Sequence, residues 1–244
     1  MTRRRWIADQ VSGDRAILLG SNAQHLARVL RARVGQEFEI SSGDTVRLGR
    51  IVHVADDRVE FQLADHIAAP SVPQHQVRSI ILLLAIFKFD RFEWAVEKAT
   101  ELGVSRIVPV IAQRTDAHLA KAANKRLDRW RRIAHESAQQ SRRVAPPEIS
   151  EPEPLTSAFG CAADLRIVLA ETERNQTLLD LLRGIHASIA LAIGPEGGWT
   201  SKELSAFAAA GWASATVGPT ILRAETAAVA ALAICSAFHH GKTS

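Results

Sequence analysis

Two short stretches near the carboxyl end of the chain combine residue types that do chemistry at close range. The first, Gly194-Pro195-Glu196-Gly197-Gly198-Trp199-Thr200, sets three glycines around one carboxylate. Glycine leaves backbone N–H groups open to an approaching ligand, and proline stiffens the path. The second, Gly218-Pro219-Thr220-Ile221-Leu222-Arg223-Ala224-Glu225-Thr226, crowds a cation, a carboxylate and hydroxyls just before an apolar run. Two such loops suit a ligand held by main-chain atoms, with charged groups left over to handle charge in a reaction. Each also has a plain reading. Thr200 caps a helix in an ordinary strand-to-helix turn, and Arg223 and Glu225 cap or salt-bridge the helix after them. Neither loop is a Gly-x-Gly-x-x-Gly fingerprint, so a dinucleotide site of that kind is not indicated.

Other chemistries find little support. Cys161 and Cys235 are the only cysteines, in no paired or ligand-like spacing, so neither a disulfide framework nor a zinc site is expected. The formal charge is +4, but the arginines cluster. Arg129, Arg131, Arg132, Arg142 and Arg143 stand against the single acid Glu136 between positions 129 and 143. A polyanionic partner explains such a stretch, and so does a solvated helix face. Arg3, Arg4 and Arg5 are followed by no apolar run, and no window approaches the roughly 20 apolar residues that span a bilayer. A cytoplasmic protein is expected.

The elements that must hold these loops divide the chain near Ala68-Ala69-Pro70-Ser71-Val72-Pro73, read as a linker. Before it, EFEI, TVRLGRIVHV and RVEFQL read as short strands between turn signals, and His25, Leu26, Val29 and Leu30 recur at helical spacing with Arg28, Arg31 and Arg33 opposite. After it, apolar runs of strand length alternate with amphipathic helices, the pattern of an α/β unit with a parallel sheet. The strands expected are Ser79 to Phe87, Arg106 to Ile111, Arg166 to Glu171, Ser188 to Ile193 and Ser214 to Gly218. Asp90 with Glu93, and Thr200 with Glu203, resemble capping boxes, and a further helix is expected from about Asn124 to Ser141. In open parallel sheets ligands bind beyond the carboxyl ends of the strands, so the loops after Glu171, Ile193 and Val217 are the places to search. The run from Ala224 to about Phe238 is apolar on all sides, which suits a central core helix or a subunit interface.

GPEGGWTSKE, VGPTILRAETA and DRFEWAVEKATELGV (Asp90 to Val104) resemble the RsmE family of the SPOUT superfamily, and HLARVLRARVGQEFEI (His25 to Ile40) resembles its amino-terminal domain. The resemblance implies a PUA-like β-barrel RNA-binding domain over residues 1–70 and a SPOUT methyltransferase domain over 74–244, its parallel sheet and flanking helices closed by a trefoil knot. It implies S-adenosylmethionine as cofactor, methylation of N3 of a uridine in 16S ribosomal RNA within the small subunit, and a homodimer. The cofactor is expected among backbone atoms of Leu169, Ala170 and Glu171, of Gly194, Pro195, Glu196, Gly197 and Gly198, and of Val217, Gly218, Ile221 and Leu222, with Thr226 beside them. Two places depart from the family pattern, Lys88-Phe89-Asp90-Arg91 and Gln113-Arg114-Thr115-Asp116, and both lie outside these loops in sequence.

A uracil N3 carries a proton at neutral pH, so methylation there needs a proton acceptor or a cation that stabilises the anion. Arg223 and Arg142 are the expected cations, with Glu196 or Glu225 for orientation or proton acceptance. N3 lies on the Watson–Crick edge, so the base must be unpaired or extruded. Arg3, Arg4, Arg5, Arg28, Arg31, Arg129, Arg132, Arg142 and Arg143 are then expected to bind RNA, with Trp199 or Trp130 available for stacking. Two other readings share these features. One is a SPOUT enzyme acting on transfer RNA or on a ribose 2′-hydroxyl, and the other is a non-catalytic ribosome-assembly factor.

Overall fold

The computed structural model describes residues 4–43, 45–65, 79–184 and 186–240. Arg3 and the expected linker lie outside them. The chain separates into two compact units, Met1–Gln74 with Ala138–Pro146, and His75–Ser137 with Pro147–Ser244.

The first unit is a mixed six-stranded sheet of β1 (Trp6–Ile7), β2 (Gln10–Ser12), β3 (Arg15–Leu19), β4 (Glu37–Ser42), β5 (Thr45–Val54) and β6 (Arg58–Leu63), in the order β1-β4-β5-β6-β3-β2. Alternation sets its inner face: along β6, Val59, Phe61 and Leu63 are buried and their neighbours are not. Between β3 and β4 the chain forms α1 (Gly20–Gln24) and then a π-helical turn, His25–Val29, in which the Leu30 N–H donates to the His25 carbonyl. This corrects the helical face read from spacing. Leu26 is fully buried, but Val29 and Leu30 are 65% and 50% exposed, because i→i+5 winding rotates them away from an α-helical stripe. The first three strands carried no clear sequence signal. Residues 138–146 join this unit through the Arg5 N–H on the Gln139 carbonyl and the Ser41 hydroxyl on the Val144 carbonyl.

The second unit is built on a parallel sheet. Its elements are β7 (Ser79–Ala85), α2 (Phe89–Glu101), β8 (Arg106–Ile111), α3 (Ala117–Ala122), α4 (Leu127–Gln140, whose last three residues pass into the first unit), β9 (Glu148–Ile149), β10 (Glu153–Pro154), α5 (Leu155–Ala158), β11 (Leu165–Leu169), α6 (Leu178–Leu181), β12 (Ser188–Ile193), α7 (Ser201–Ala209), β13 (Ala213–Ala215) and α8 (Ala224–His240). The sheet order is β10-β8-β7-β12-β11-β13, with β9 also on β8. Side-chain size divides its two faces. Ile80, Leu82, Leu84, Ile189, Leu191 and Ile193 pack towards α2, α4 and α8, whereas Leu83, Ala85, Ala190 and Ala192 face Trp199, Phe207 and Trp212. The small alanines leave room for rings whose centroids stand 5.0 Å (Trp199 to Phe207) and 5.2 Å (Phe207 to Trp212) apart.

Two helix starts came out differently. Thr200 and Glu203 form the expected capping box. Asp90 and Glu93 do not: α2 starts from Lys88 with no side-chain cap, and the Glu93 carboxylate serves Arg126 and Arg129 instead. The expected helix from Asn124 splits into a 3₁₀ turn, Ala123–Arg126, and α4. One face of α8 is buried through Ala224, Ala228, Ala231, Leu232 and Cys235, while Val229, Ala230, Ala233 and Ile234 are half-buried. Among the described residues no helix is long and apolar enough to cross a membrane.

Candidate functional site

Strand order explains why three loops meet. β11 lies between β12 and β13, and all three run parallel, so their carboxyl ends open on the same edge. The segments after Leu169, Ile193 and Ala215 there enclose a cavity of about 290 Å3, lined entirely by residues of the second unit. Leu169, Ala170 and Glu171 line one side, Gly194, Pro195, Glu196 and Gly198 another, and Val217, Gly218, Ile221 and Leu222 a third. The first turns of α7 and α8 complete it through Ser201, Leu204, Ala224 and Ala227.

The loop from 194 to 200 holds its shape through backbone and ring contacts. Gly198 sits at φ +68°, a left-handed conformation that disfavours side-chain-bearing residues, and its N–H donates to the Pro195 carbonyl at 2.8 Å. A Cβ on Gly194 would stand 3.2 Å from the Trp199 ring. Trp199 itself is buried, and its Nε1 donates to the Leu169 carbonyl at 3.1 Å, tying this loop to the end of β11. Trp199 is therefore a floor to the cavity, and its indole edge is committed. Trp130 is fully buried against Phe89 and Phe92 and belongs to the core.

The two motif departures, distant in sequence, lie against this loop in space. Arg114 lines the cavity, and its Nη1 donates to the Gly197 carbonyl. Gln113 is fixed beside it: its N–H donates to Glu203 Oε1 at 2.7 Å, and its side-chain carbonyl accepts from the Thr200 hydroxyl at 3.0 Å. Arg91 reaches Glu196 at 2.9 Å and stands 3.9 Å from Glu225. Sequence separation concealed both arginines. A second lining cation is Arg174. Its loop is tied to Glu173, whose Oε1 accepts the N–H groups of Arg174, Asn175 and Gln176 at 2.9, 2.8 and 3.1 Å. Those bonds, the one from Asn175 first, hold the Glu173 carboxyl below its ordinary pKa.

The expected catalytic residues separate. Arg223 is exposed at the start of α8, next to the lining residues Leu222 and Ala224, and its guanidinium makes no hydrogen bond or ion pair among the described residues. Glu196 is on the cavity but already paired with Arg91. Glu225 is 9% exposed, with Oε2 lacking a partner. Thr226 is exposed and, like Gly197, is not among the lining residues. Arg142 belongs to the first unit, at φ +60°, with its guanidinium on Glu39.

Most of the arginines expected on RNA have acidic or aromatic neighbours. In the first unit Arg5 is buried, donating to Glu39 at 3.2 Å and to the Arg142 carbonyl at 2.6 Å. Burial opposes ionisation of Glu39, but the bonds from Arg142 and Arg5 outweigh it, so its pKa is lowered. Arg28 pairs with Asp56 at 2.7 Å, Arg4 lies 5.6 Å from the Trp6 ring centroid, and Arg31 is exposed at φ +49°. Arg143 is half-buried, and burial lowers its pKa. In the second unit Arg129 pairs with Glu93 at 2.8 Å, while Arg132 is exposed with no ion pair among the described residues.

Comparison with known proteins places this geometry. Residues 73–236 match the family described as RNA methyltransferase domain, and residues 18–64 match RNA methyltransferase PUA domain. The chain is 31% identical over 234 residues to ribosomal RNA small subunit methyltransferase E of Synechocystis sp., covering 92% of this chain and 74% of that one. It is 32% identical over 228 residues to the protein of that name from Mycobacterium bovis, with 91% and 86% covered. A solved structure of the Neisseria gonorrhoeae protein of that name, bound to S-adenosyl methionine, superposes with a TM-score of 0.82 at 27% identity over 95% of each chain. A PUA unit ahead of an RNA methyltransferase domain, with matches of this length to both, makes the chain a member of the ribosomal RNA small subunit methyltransferase E family.

Proposed function

We propose that this chain transfers the methyl group of S-adenosylmethionine to N3 of a specific uridine in 16S ribosomal RNA, acting in the cytoplasm as a homodimer on RNA within the small subunit. The observation that carries the reading is the cavity at the shared edge of β12, β11 and β13, walled by three loops and carrying charges of both signs. Glu171 and Glu196 against Arg114 and Arg174 suit a ligand that is itself cationic at sulfur and amine and anionic at carboxylate. Backbone of Leu169 to Glu171, Gly194 to Gly198 and Val217 to Leu222 would hold its adenosine. When bound, the cofactor supplies an electrophilic methyl group on a sulfonium.

The protein's remaining tasks are positioning and charge. Arg223, exposed beside the cavity and unpaired, is the residue we assign to stabilising the uracil anion that forms as N3 loses its proton. Glu196, with Oε1 already accepting from Arg91 at 2.9 Å, is suited to orientation more than to proton acceptance. Arg142 is a second candidate cation in this reading, available once Glu39 releases it. The trefoil knot of the family would fix the loops against one another, and the half-buried side of α8 offers a subunit contact.

The test is nucleoside digestion and mass spectrometry of small-subunit RNA from a deletion strain. N3-methyluridine is expected to be missing and to return when the gene is restored. A different missing nucleoside, on transfer RNA or on a ribose hydroxyl, would replace this reading with the related enzyme. No missing nucleoside, together with no calorimetric binding of S-adenosylmethionine, would leave an assembly factor.

A further inference from the structure

Arg91, in the first turn of α2, reaches two elements that wall the cavity from different sides. Its Nη1 donates to Glu196 Oε1 at 2.9 Å, and its Nε stands 3.9 Å from Glu225 Oε1. Glu196 belongs to the loop that lines the cavity through Gly194, Pro195 and Gly198. Glu225 sits in the first turn of α8, between the lining residues Ala224 and Ala227. Arg91 is not itself among the lining residues. It acts on the cavity only through its partners.

Glu225 marks this bridge as purposeful. It is 9% exposed, its Oε2 has no hydrogen-bond partner, and its ion pair is with Arg91. A carboxylate buried that far is tolerated when a cation compensates it, and an oxygen left without a donor is uncommon in folded proteins. A guanidinium presents five donors in a planar fork, so Arg91 can donate to Glu196 through Nη1 and still hold Nε 3.9 Å from Glu225. Lysine, with one compact charge on a flexible stem, would not span two carboxylates in the same fixed geometry.

We propose that Arg91 is a positioning residue: by bridging Glu196 to Glu225 it sets the spacing between the 194–200 loop and the start of α8, and so the fit of the cavity to its cofactor. The inference rests on the reading of this cavity as the S-adenosylmethionine site. Loss of the bridge acts on cofactor affinity and leaves the chemical step, once cofactor is saturating, nearly unchanged. The Arg91 and Glu196 side chains are 34% and 39% exposed, so solvent screening limits the effect to about two- to fivefold in Kd.

The experiment is calorimetry of the full chain with S-adenosylmethionine, on wild type, R91A, R91K, E196Q and the R91A/E196Q double variant, with kcat measured at saturating cofactor and RNA. Wild type comes first, because absence of binding there overturns the functional reading itself and not merely the bridge. Given binding, R91A is expected to raise Kd about two- to fivefold with kcat unchanged within error, and R91K to recover only part of the loss. The double variant is expected to lose less than the sum of the two single losses, since the bridge is lost only once although Glu196 also faces the cavity. Wild-type affinity in R91A, a loss in kcat without a change in Kd, or fully additive losses in the double variant would each overturn the proposal. Should R91A fail to fold, R91K and E196Q carry the test, and wild-type affinity in both overturns it.

Discussion

The carboxyl edge of the parallel sheet and the arginine-rich stretch from 126 to 143 are both charged, but they are built by opposite means. At the edge, backbone sets the shape: Gly198 turns through φ +68°, the Trp199 indole bonds the Leu169 carbonyl, and Glu173 gathers three N–H groups. The charges there are added to a shape already set: Glu196 pairs with Arg91, Glu171 and Arg174 line the cavity, and Arg223 stands exposed beside it. In the arginine-rich stretch the charges themselves are the structure. Arg126 and Arg129 share Glu93, and Arg142 is taken by Glu39. The lesson is that a count of arginines measures potential for binding anions, whereas pairing decides how much of it is available.

The sharpest way to break this distinction compares a free cation with a paired one. Arg223→Ala is expected to lower the methylation rate about 100-fold, the usual scale for removing one donor from a developing anion, while S-adenosylmethionine affinity stays within about threefold. Arg129→Ala, which removes a guanidinium already held by Glu93 at 2.8 Å, is expected to change the rate by less than about threefold. Single-turnover methylation of small-subunit RNA measures both. Equal losses in the two variants would remove the distinction.

The backbone side of the comparison is tested with two glycines. Gly198→Ala forces a side chain into a left-handed conformation and is expected to cost about 1–2 kcal/mol in urea unfolding, with weakened cofactor binding. Gly218 has negative φ, and a Cβ there meets nothing within 4 Å. Gly218→Ala is therefore expected to leave stability within about 0.5 kcal/mol, and to weaken cofactor binding only if ligand atoms come as close to this backbone as the cavity lining implies. A stability loss in both variants would mean that the loop needs glycine for folding alone.

That division also explains what was legible in the sequence. The apolar runs gave five of the seven parallel strands, because a buried strand writes its burial into consecutive residues, as Ser188 to Ile193 does, whereas the two-residue β9 and β10 carry no such run. The glycine and proline spacing in 194–200 and 218–226 gave two walls of the cavity, because special backbone geometry restricts residue type. Arg91 and Arg114 were not visible as neighbours of Glu196 and Gly197, since ordinary side chains 105 and 83 positions away leave no local trace. Asp90 with Glu93 failed as a capping box for a related reason. Glu93 found better partners in Arg126 and Arg129, and tertiary ion pairs override a local motif. The π-turn at His25–Val29 likewise shifted an apolar stripe that spacing had set for an α-helix.

The smallest expected effect probes whether a paired arginine is held in reserve. Glu39 has its pKa lowered by Arg142 and Arg5 against the opposing cost of burial. A depressed carboxylate contributes stability that is fully present above its unfolded pKa, about 4.3, and is lost as pH falls through the lower folded value. Glu39→Gln is accordingly expected to lower stability by about 0.5–1 kcal/mol at pH 7, the modest scale of a partly exposed pair, with the difference from wild type shrinking steadily below about pH 4. Urea unfolding at several pH values follows it. The same variant releases Arg142 and loosens Arg5. If Arg142 then meets RNA phosphate, the slope of log affinity against log salt steepens by up to about 0.9, one counterion's worth, over wild type. An unchanged slope would show that Arg142 serves the fold of the first unit and not the RNA, and would remove it from the catalytic candidates, leaving Arg223 as the cation on which the proposed chemistry depends.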